Sequence, residues 1–360
     1  RSRRRLLCRR ALTTVQFRPA VVGVAGPRLT ATEKRIFARL PPAGFILFRR
    51  NCLEPEQLAA LIAELRALAP ERQLPLFVDQ EGGRVQRLGP PHWPALPAAG
   101  TIGQIFARDP ARGRAIAAHW ALAIAGLARS TGFDVVCAPV LDLRLPETTE
   151  AIGDRSFGPD PRRVAALGQI VCARFRELGI LPVIKHLPGH GRARVDSHRS
   201  LPRVGATARE LAQTDFVPFR ACRQAPFAMT CHCLFEALDP QRPASLSSRI
   251  VREVVRSHIG FRGILLSDDL AMAALAGPPA ARAQAALAAG HDLVLWCDGD
   301  IEHSCEVLEA LPPASAELAE RLKAVLSERR STTWLPQLPE LVRELWAAIF
   351  AADADDARIP

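Results

Sequence analysis

The sequence predicts an α/β protein, a single-domain (β/α)8 TIM barrel with extra helices at its C-terminal end. Short apolar runs recur along the 360 residues, and longer amphipathic segments lie between them. The runs are apolar throughout instead of alternating, as is typical of strands covered on both faces. Eight such units in one chain favour a closed parallel barrel. The competing open, doubly wound sheet would carry a glycine-rich phosphate turn after its first strand, and the sequence has none there.

The same patterns place the individual elements. The predicted strands cover residues 20–24, 44–48, 74–78, 133–138, 181–185, 226–230, 263–267 and 292–296. The predicted helices include residues 55–68, 110–130, 161–178, 207–221 and 281–289, and several open with Pro or Thr in the first turn, as helices do. Further helices from residue 315 onward are expected outside the barrel. No linker rich in Pro, Gly or Ser divides the chain, so we expect one domain over residues 19–360.

The net charge of +10 is concentrated at the N-terminus. Six arginines stand among the first ten residues with no acid nearby. We therefore expect residues 1–18 to form a disordered basic tail on a nearly balanced domain. No aromatic residues are interleaved with the basic ones, which argues against a nucleic-acid partner. No apolar run reaches the roughly 18–20 residues needed to span a bilayer, so no membrane partner is expected.

The nine cysteines are scattered, and no C-x-x-C pair occurs. Several lie inside apolar runs, so we expect reduced core thiols in a reducing compartment. Cys231, His232 and Cys233 could suggest a metal site. However, neighbouring residues on a strand point to opposite faces, so these three side chains cannot converge easily. We expect neither a metal nor another cofactor.

Titratable side chains follow five of the predicted strands. In a TIM barrel the C-terminal strand ends share one mouth, and this is where the chemistry of such enzymes lies. The density of Asp, Arg, Lys and His there exceeds what polar loops alone would supply. These residues are Asp79, Glu81 and Arg87 after the third strand, Asp142 and Arg155 after the fourth, Lys185, His186, Asp196 and His198 after the fifth, His232 after the sixth, and Asp268 with Asp269 after the seventh.

Five motifs at these strand ends resemble the bacterial family 3 glycoside hydrolases. They are DQEGGRVQRL from residue 79, IGDRSFG from 152, KHLPGHG from 185, DSH from 196 and SDDLAM from 267. More narrowly, they resemble the single-domain β-N-acetylglucosaminidases that act in peptidoglycan recycling, and the resemblance covers about residues 19 to 300. It implies a cytoplasmic, retaining exo-glycosidase that removes terminal β-linked N-acetylglucosamine from muropeptides. We expect a monomer whose partner is its small carbohydrate substrate.

The resemblance also implies roles for the strand-end residues. Asp268 matches the catalytic nucleophile, and His198 matches the acid/base, with Asp196 orienting its ring. An imidazole suits this role because its unperturbed pKa of about 6.5 lets it donate and then accept a proton near neutral pH. The positions that match sugar-binding residues of the family are Asp79, Arg87, Arg155, Lys185 and His186.

Several of these residues have alternative readings. Strand alternation directs Asp268 and Asp269 to opposite sides, so only one can face a sugar, and the resemblance selects Asp268. For His190 and His232, a loop-fixing or wall hydrogen bond competes evenly with substrate contact.

Two of the predicted sugar-binding cations also have structural alternatives. Arg155 could form a salt bridge with Asp154 or Asp142 at the mouth. Lys185 could be a strand-end lysine that extends its amine to solvent. Tyr is absent from the chain, so any aromatic surface for the sugar must come from Phe or Trp.

Other functions compete with the main hypothesis. A related family 3 β-glycosidase, or a phosphorylase in which phosphate replaces water, would use the same groups. A non-catalytic sugar-binding barrel is disfavoured because Asp268, Asp196 and His198 are all present. A metallohydrolase could use His186, His190, Asp196 and His198 as ligands. The sequence does not choose between a muropeptide, a chitin fragment and another aglycone.

Overall fold

The computed structural model describes residues 16–197, 199–329 and 337–356. Eight parallel strands form a closed barrel in which each strand pairs with its neighbours in the chain and the last pairs with the first. The predicted TIM barrel is therefore confirmed. The strands are β1 Arg18–Gly23, β2 Pro42–Leu47, β3 Leu76–Val78, β4 Val135–Val136, β5 Leu181–Leu187, β6 Phe227–Thr230, β7 Ile264–Asp269 and β8 Leu293–Trp296.

Alternate residues of each strand enter two different hydrophobic clusters. Val21 of β1 faces the barrel interior, whereas Val22 packs outward against the helices. Phe77 of β3 and Phe227 of β6 meet edge to face inside the barrel, with ring centroids 5.6 Å apart. This double burial explains why the strands contain almost no polar residue before their C-terminal ends.

The helices surround the barrel, and most of those with a described N-terminus begin at a capping residue or a proline. Thr30 and Thr207 form capping boxes with Glu33 and Glu210. The helices cover Ala31–Arg39, Pro55–Ala67, Ala99–Arg108, Pro110–Ser130, Pro161–Glu177, Ala208–Gln213, Phe216–Ala221, Pro279–Ala288, Ile301–Ala310, Ala316–Ser327 and Leu338–Asp356, with a π-helix at Ile250–Ile259 and 3-10 turns at Arg49–Asn51, Gly153–Arg155 and Ala244–Leu246.

The prediction of one helix over residues 207–221 is wrong. The structure has two short helices that are separated at Thr214 and Asp215. Asp215 is buried at this break, and its carboxylate accepts hydrogen bonds from Thr214 and from Arg192 of the loop after β5. This contact with a distant loop is invisible in a helical periodicity.

The last helices differ in what they cover. Leu318, Leu322 and Leu326 belong to the same cluster as the barrel interior, so the helix Ala316–Ser327 closes its N-terminal end. The helix Leu338–Asp356 packs instead on Pro110–Ser130, at the outside of the barrel.

Two small features complete the mouth of the barrel. The segments Gln80–Gly82 and Val85–Gln86 form a hairpin directly after β3. Its turn uses Gly82 and Gly83 at φ of 79° and 57°, and a Cβ at Gly82 would lie 2.2 Å from a backbone oxygen. The hairpin folds the chain back, so that residues on both arms face the mouth. Leu234–Phe235 pairs with Arg203–Val204 beside it.

The predicted tail, residues 1–18, falls mostly outside the described residues. Phe17 is buried beneath the barrel, and Arg18 opens β1 and donates to the carbonyl of Leu311 at 2.9 Å. Within the described residues, none of the helices has the length and apolarity to cross a membrane. The eight described cysteines are free thiols, and each is buried or half-buried.

Candidate active site

A cavity of about 340 Å³ opens at the C-terminal ends of the strands. A larger cavity of about 620 Å³ lies at the opposite end among Arg66, Arg72 and Asp134, away from all the predicted site residues. The predicted residues Asp79, Arg87, Arg155, Lys185, His186, Asp196 and Asp268 all line the smaller cavity, and Glu81, His190 and Asp269 line it too. His198 lies outside the described residues.

Lys185 is the centre of a buried ion network. Its Nζ lies 2.8 Å from Oδ1 of Asp79 and 2.6 Å from Oε1 of Glu81. Arg155 binds both oxygens of Glu81, at 2.7 and 2.9 Å, and Arg87 binds Oδ2 of Asp79 at 2.9 Å. Three cations thus share two carboxylates, and five strand-end groups are fixed in one arrangement.

The network keeps its carboxylates ionised in spite of their burial. Burial alone would raise the pKa of Glu81, but Arg155 and Lys185 outweigh it and lower that pKa to about 2. Burial is likewise outweighed at Asp79, whose pKa is lowered by Lys185 and Arg87. Burial opposes the charge of Lys185 too, yet the two carboxylates raise the pKa of its amine. Both acids can therefore accept hydrogen bonds, and every cation stays charged, at any pH near neutrality.

The alternative for Lys185 is wrong, and the alternative for Arg155 is right about a salt bridge at the mouth but wrong about its partner. Lys185 does not extend to solvent, because only 2% of it is exposed. Arg155 pairs with Glu81, whereas Asp154 pairs with Arg84 at 3.0 Å. The importance of Glu81 was missed because its partner Arg155 lies 74 residues away in the chain, although its place two residues after Asp79 was a signal.

Asp142, at the end of the fourth unit, organises the start of the loop after β5. Its Oδ2 lies 2.6 Å from Nδ1 of His186, and its Oδ1 accepts the backbone N–H groups of His186 and His190 at 3.2 and 2.6 Å. Burial would raise the pKa of Asp142, but His186 outweighs it and lowers that pKa. An ionised carboxylate on Nδ1 fixes the ring orientation and favours the proton on that nitrogen.

The two carboxylates that end β7 have opposite electrostatic environments. Burial would raise the pKa of Asp268, but His186 and His232 outweigh it and lower that pKa. Burial and the neighbouring Asp268 raise the pKa of Asp269 to about 6. Oδ1 of Asp269 accepts the N–H groups of Ala271 and Cys297, each at 3.0 Å. Asp269 thus ties the end of β7 to that of β8, and Asp268 is the one of these two carboxylates whose ionised form its surroundings favour.

His232 and His190 are held by protein groups. Nδ1 of His232 lies 2.6 Å from Oγ of Ser245, and Nε2 lies 2.9 Å from the carbonyl of Asp269. These two hydrogen bonds favour the interpretation of His232 as a structural residue of the cavity wall over that of a substrate contact. Nε2 of His190 lies 3.2 Å from Oγ of Ser197, and burial lowers the pKa of His190 to about 4. Its Nδ1 is buried with no hydrogen-bond partner in the described part of the chain.

Apolar side chains line part of the same cavity. Phe48 supplies an aromatic ring there, stacked by the guanidinium groups of Arg50 and Arg87 at 4.9 and 5.1 Å. The other apolar lining residues include Ile46, Met229, Met272 and Leu295. A cavity lined by charged donors and acceptors together with apolar side chains suits a small polar ligand that also has apolar faces.

No three His, Cys, Asp or Glu side chains within residues 16–197, 199–329 and 337–356 are grouped as metal ligands would be. The metallohydrolase alternative included His198, which these ranges leave out. Of the predicted acid/base pair, only Asp196 is described, half-buried at the cavity.

The barrel and its site define a TIM-barrel enzyme with a charged, sugar-sized cavity at the C-terminal strand ends. The family model described as "Glycosyl hydrolase family 3 N terminal domain" matches residues 11–327. The chain therefore belongs to glycoside hydrolase family 3, as the motifs predicted, and it is a glycoside hydrolase.

Relatives named beta-hexosaminidase are similar over most of the chain. The one from Alkalilimnicola ehrlichii is 41% identical over 286 residues, which are 78% of this chain and 80% of the relative. The one from Chromobacterium violaceum is 37% identical over 320 residues, which are 88% of each.

Solved structures show the same similarity. NagZ from Neisseria gonorrhoeae, in complex with N-trifluoroacetyl-D-glucosamine, has a TM-score of 0.81 and 32% identity over 94% of this chain and 97% of that one. A family 3 beta-N-acetylglucosaminidase from Paenibacillus has a TM-score of 0.82 and 30% identity over 92% of this chain and 67% of that one.

The first prediction concerns the buried ammonium group. Lys185→Met should lower the free energy of unfolding by about 3–5 kcal/mol, because two carboxylates lose a buried counter-charge. Denaturant unfolding measures this. The control is Lys34→Met, which breaks an exposed pair with Glu64 and should cost less than about 1 kcal/mol. Equal losses in the two variants would contradict the account of the network.

The second prediction concerns the pH dependence of stability. Folding raises the pKa of Asp269, so its protonated carboxyl stabilises the folded state. This stabilisation is complete below about pH 4 and is lost as the pH rises through about 6. Asp269→Asn should therefore gain stability relative to wild type, on the order of 2 kcal/mol, between pH 4 and 7.5.

Asp239→Asn is a control whose stability relative to wild type should change with pH in the opposite direction. Although burial would raise the pKa of Asp239, hydrogen bonds from Ser247, Gln241 and Arg242 lower it. The stability of this variant relative to wild type should fall as pH rises through the acidic range. Parallel trends in the two variants would contradict the assignment for Asp269.

Proposed function

We propose that the protein is a retaining exo-β-N-acetylglucosaminidase that hydrolyses terminal, non-reducing β-linked N-acetylglucosamine. The observation that carries this proposal is the Asp268 carboxylate, kept ionised at a sugar-sized cavity beside the Lys185 network. Family membership and the beta-hexosaminidase names of the relatives support the reaction class. The neighbouring structure that contains an N-acylglucosamine supports the sugar.

In the proposed reaction, a carboxylate oxygen of Asp268 attacks the anomeric carbon. The bond from that carbon to the aglycone oxygen breaks as the oxygen takes a proton from His198, whose ring Asp196 orients. A glycosyl ester on Asp268 results. His198 then takes a proton from water, the water oxygen attacks the anomeric carbon, and Asp268 leaves. Two inversions give net retention.

The sugar is proposed to bind through Asp79, Arg87, Arg155, Lys185 and His186. Sugar hydroxyls both donate and accept, which matches carboxylates that alternate with cations. The apolar side chains of Phe48 and Met272 would accept the methyl of the acetamido group.

We assign the natural substrate to the peptidoglycan-derived muropeptides of the cytoplasm. Muropeptides carry several carboxylates beyond the scissile bond. Arg194 and Arg199 stand exposed on either side of Asp196, on the loop that borders the cavity. Their charge would attract an anionic aglycone. The free thiols of the described cysteines, buried or half-buried, fit a reducing compartment.

The third prediction tests the nucleophile. Asp268→Ala should fold and lose about 10⁴-fold or more in kcat on an aryl β-N-acetylglucosaminide, because no other group can form the ester. Added azide should restore turnover and yield the α-glycosyl azide, since azide then attacks the face that Asp268 occupied. Asp269→Ala should keep some activity or fail through folding. A folded, active Asp268→Ala variant would contradict the assignment.

Wild-type enzyme separates the competing activities in one assay series. Hydrolysis of the N-acetylglucosaminide in preference to the β-glucoside would exclude a broad glycosidase. A phosphate-dependent release of sugar 1-phosphate would reveal a phosphorylase. Activity that persists in a chelator would eliminate the metallohydrolase, and turnover of any kind would eliminate the non-catalytic barrel.

The fourth prediction tests the aglycone. The double variant Arg194→Ala/Arg199→Ala should raise KM for an N-acetylglucosaminyl muropeptide about 3- to 10-fold, as two exposed charges contribute modestly. The kcat and KM for the neutral aryl substrate should stay unchanged. The difference in muropeptide KM between the variant and wild type should shrink in high salt. A muropeptide KM equal to that of wild type would contradict an aglycone site at these arginines.

A further inference from the structure

The loop after β5 is fastened to a helix break by a buried ion pair. Nε of Arg192 donates to Oδ2 of Asp215 at 2.8 Å, and Nη2 donates to Oγ1 of Thr214 at 3.1 Å. Asp215 is only 1% exposed, and 20% of the Arg192 side chain is exposed. Arg192 lies four residues before Asp196, on the segment that carries the proposed acid/base pair.

This ion pair is expected to contribute little to the free energy of folding. Burial raises the pKa of Asp215 although Arg192 and Thr214 oppose that shift. Oδ1 of Asp215 is buried with no hydrogen-bond partner in the described residues. Burying such a pair gives little net stabilisation, whereas it can impose one conformation on what it joins. A conformational role therefore accounts better for the pair.

The loop after β5 has two parts, and Arg192 lies near the end of the first. In the first part, the N–H of His190 is bound by Asp142, the carbonyl of Gly191 by Thr148, and the carbonyl of Ala193 by the N–H of Thr149 at 3.0 Å. A Cβ at Gly191 would lie 2.2 Å from a backbone oxygen, so this part fits tightly against its neighbours.

The second part is more exposed. Arg194 and Val195 face solvent, and Asp196 is half-buried at the cavity. Ser197 is buried again, and its Oγ lies 3.2 Å from Nε2 of His190 in the first part. Arg192 is thus the last charged anchor to the rest of the protein before the chain reaches Asp196.

We infer that the Arg192–Asp215 ion pair positions the proposed acid/base segment over Asp268, so that proton transfer to the leaving oxygen depends on it. Arg192 and Asp215 are positioning residues, since neither lines the cavity. A displacement of about 1 Å at a catalytic group can cost 10²-fold in rate. The inference rests on the function proposed above.

The fifth prediction uses the leaving group to isolate proton transfer. Arg192→Met and Asp215→Asn should lower kcat/KM about 10- to 100-fold for an alkyl β-N-acetylglucosaminide, whose poor leaving group needs general-acid help. For the 2,4-dinitrophenyl glycoside, whose leaving group needs no proton, the loss should stay below about 3-fold. Arg192→Lys should keep part of the kcat/KM that Arg192→Met loses. Lysine retains the positive charge, but it lacks the two guanidinium nitrogens that donate to Asp215 and Thr214.

Trypsin provides a readout that does not depend on activity. Without the ion pair, the bonds after Arg194 and Arg199 should be cut faster in the native enzyme, about 5-fold or more, because the segment opens more often. Arg203→Ala is the control, since it removes an exposed arginine whose pair with Glu236 is long, at 3.6 Å. It should change neither the leaving-group ratio nor the cleavage after Arg194.

The outcomes separate this inference from the proposed function. If wild-type enzyme hydrolyses neither substrate, the proposed function fails, and the cleavage rates still report whether the pair holds the segment. If wild type is active but both substrates lose activity equally in Arg192→Met, the pair does not act on proton transfer. Unchanged cleavage would also overturn the inference. If Asp215→Asn unfolds, Arg192→Met, at the more exposed end of the pair, decides alone.

Discussion

The site depends on one interaction, the buried ammonium group of Lys185 between Asp79 and Glu81. These residues belong to β5 and to the chain after β3, so one charge joins two strand ends that are distant in sequence. Arg87 binds Asp79 and Arg155 binds Glu81, so the positions of these two cations depend on the same carboxylates. The positive potential of Lys185 also helps to lower the pKa of Asp268. The scaffold therefore orients the proposed sugar-binding groups and helps to keep the proposed nucleophile ionised through the same contacts.

The groups proposed for the two steps of the reaction lie on different kinds of element. Asp268 ends a barrel strand, and Asp269 ties that strand to its neighbour through backbone N–H groups. Asp196 lies on a loop that is held at its base by Asp142 and by the Arg192 pair. The proposed nucleophile therefore lies on a barrel strand, whereas Asp196, which would orient the proposed proton donor, lies on a loop.

The sequence predicted the barrel because strands buried on both faces are apolar without interruption, and the strand ends then located the cavity. It did not predict which charges pair. Arg155 binds Glu81 and not its sequence neighbour Asp154, which pairs instead with Arg84 at the turn of the hairpin after β3. The helix break at Asp215 was missed for a related reason: a distant loop residue causes it. Residue types and strand positions follow from local patterns, whereas partners depend on how separate loops meet.

The central claim, a covalent sugar on Asp268, can be tested directly by trapping the intermediate. A fluorinated N-acetylglucosaminyl fluoride, which slows ester hydrolysis, should add the mass of one sugar to the protein. Fragmentation of the tryptic peptide that spans residues 263–282 should place that mass on Asp268. A label on Asp269 or on another peptide, or turnover with inversion and no adduct, would contradict the account.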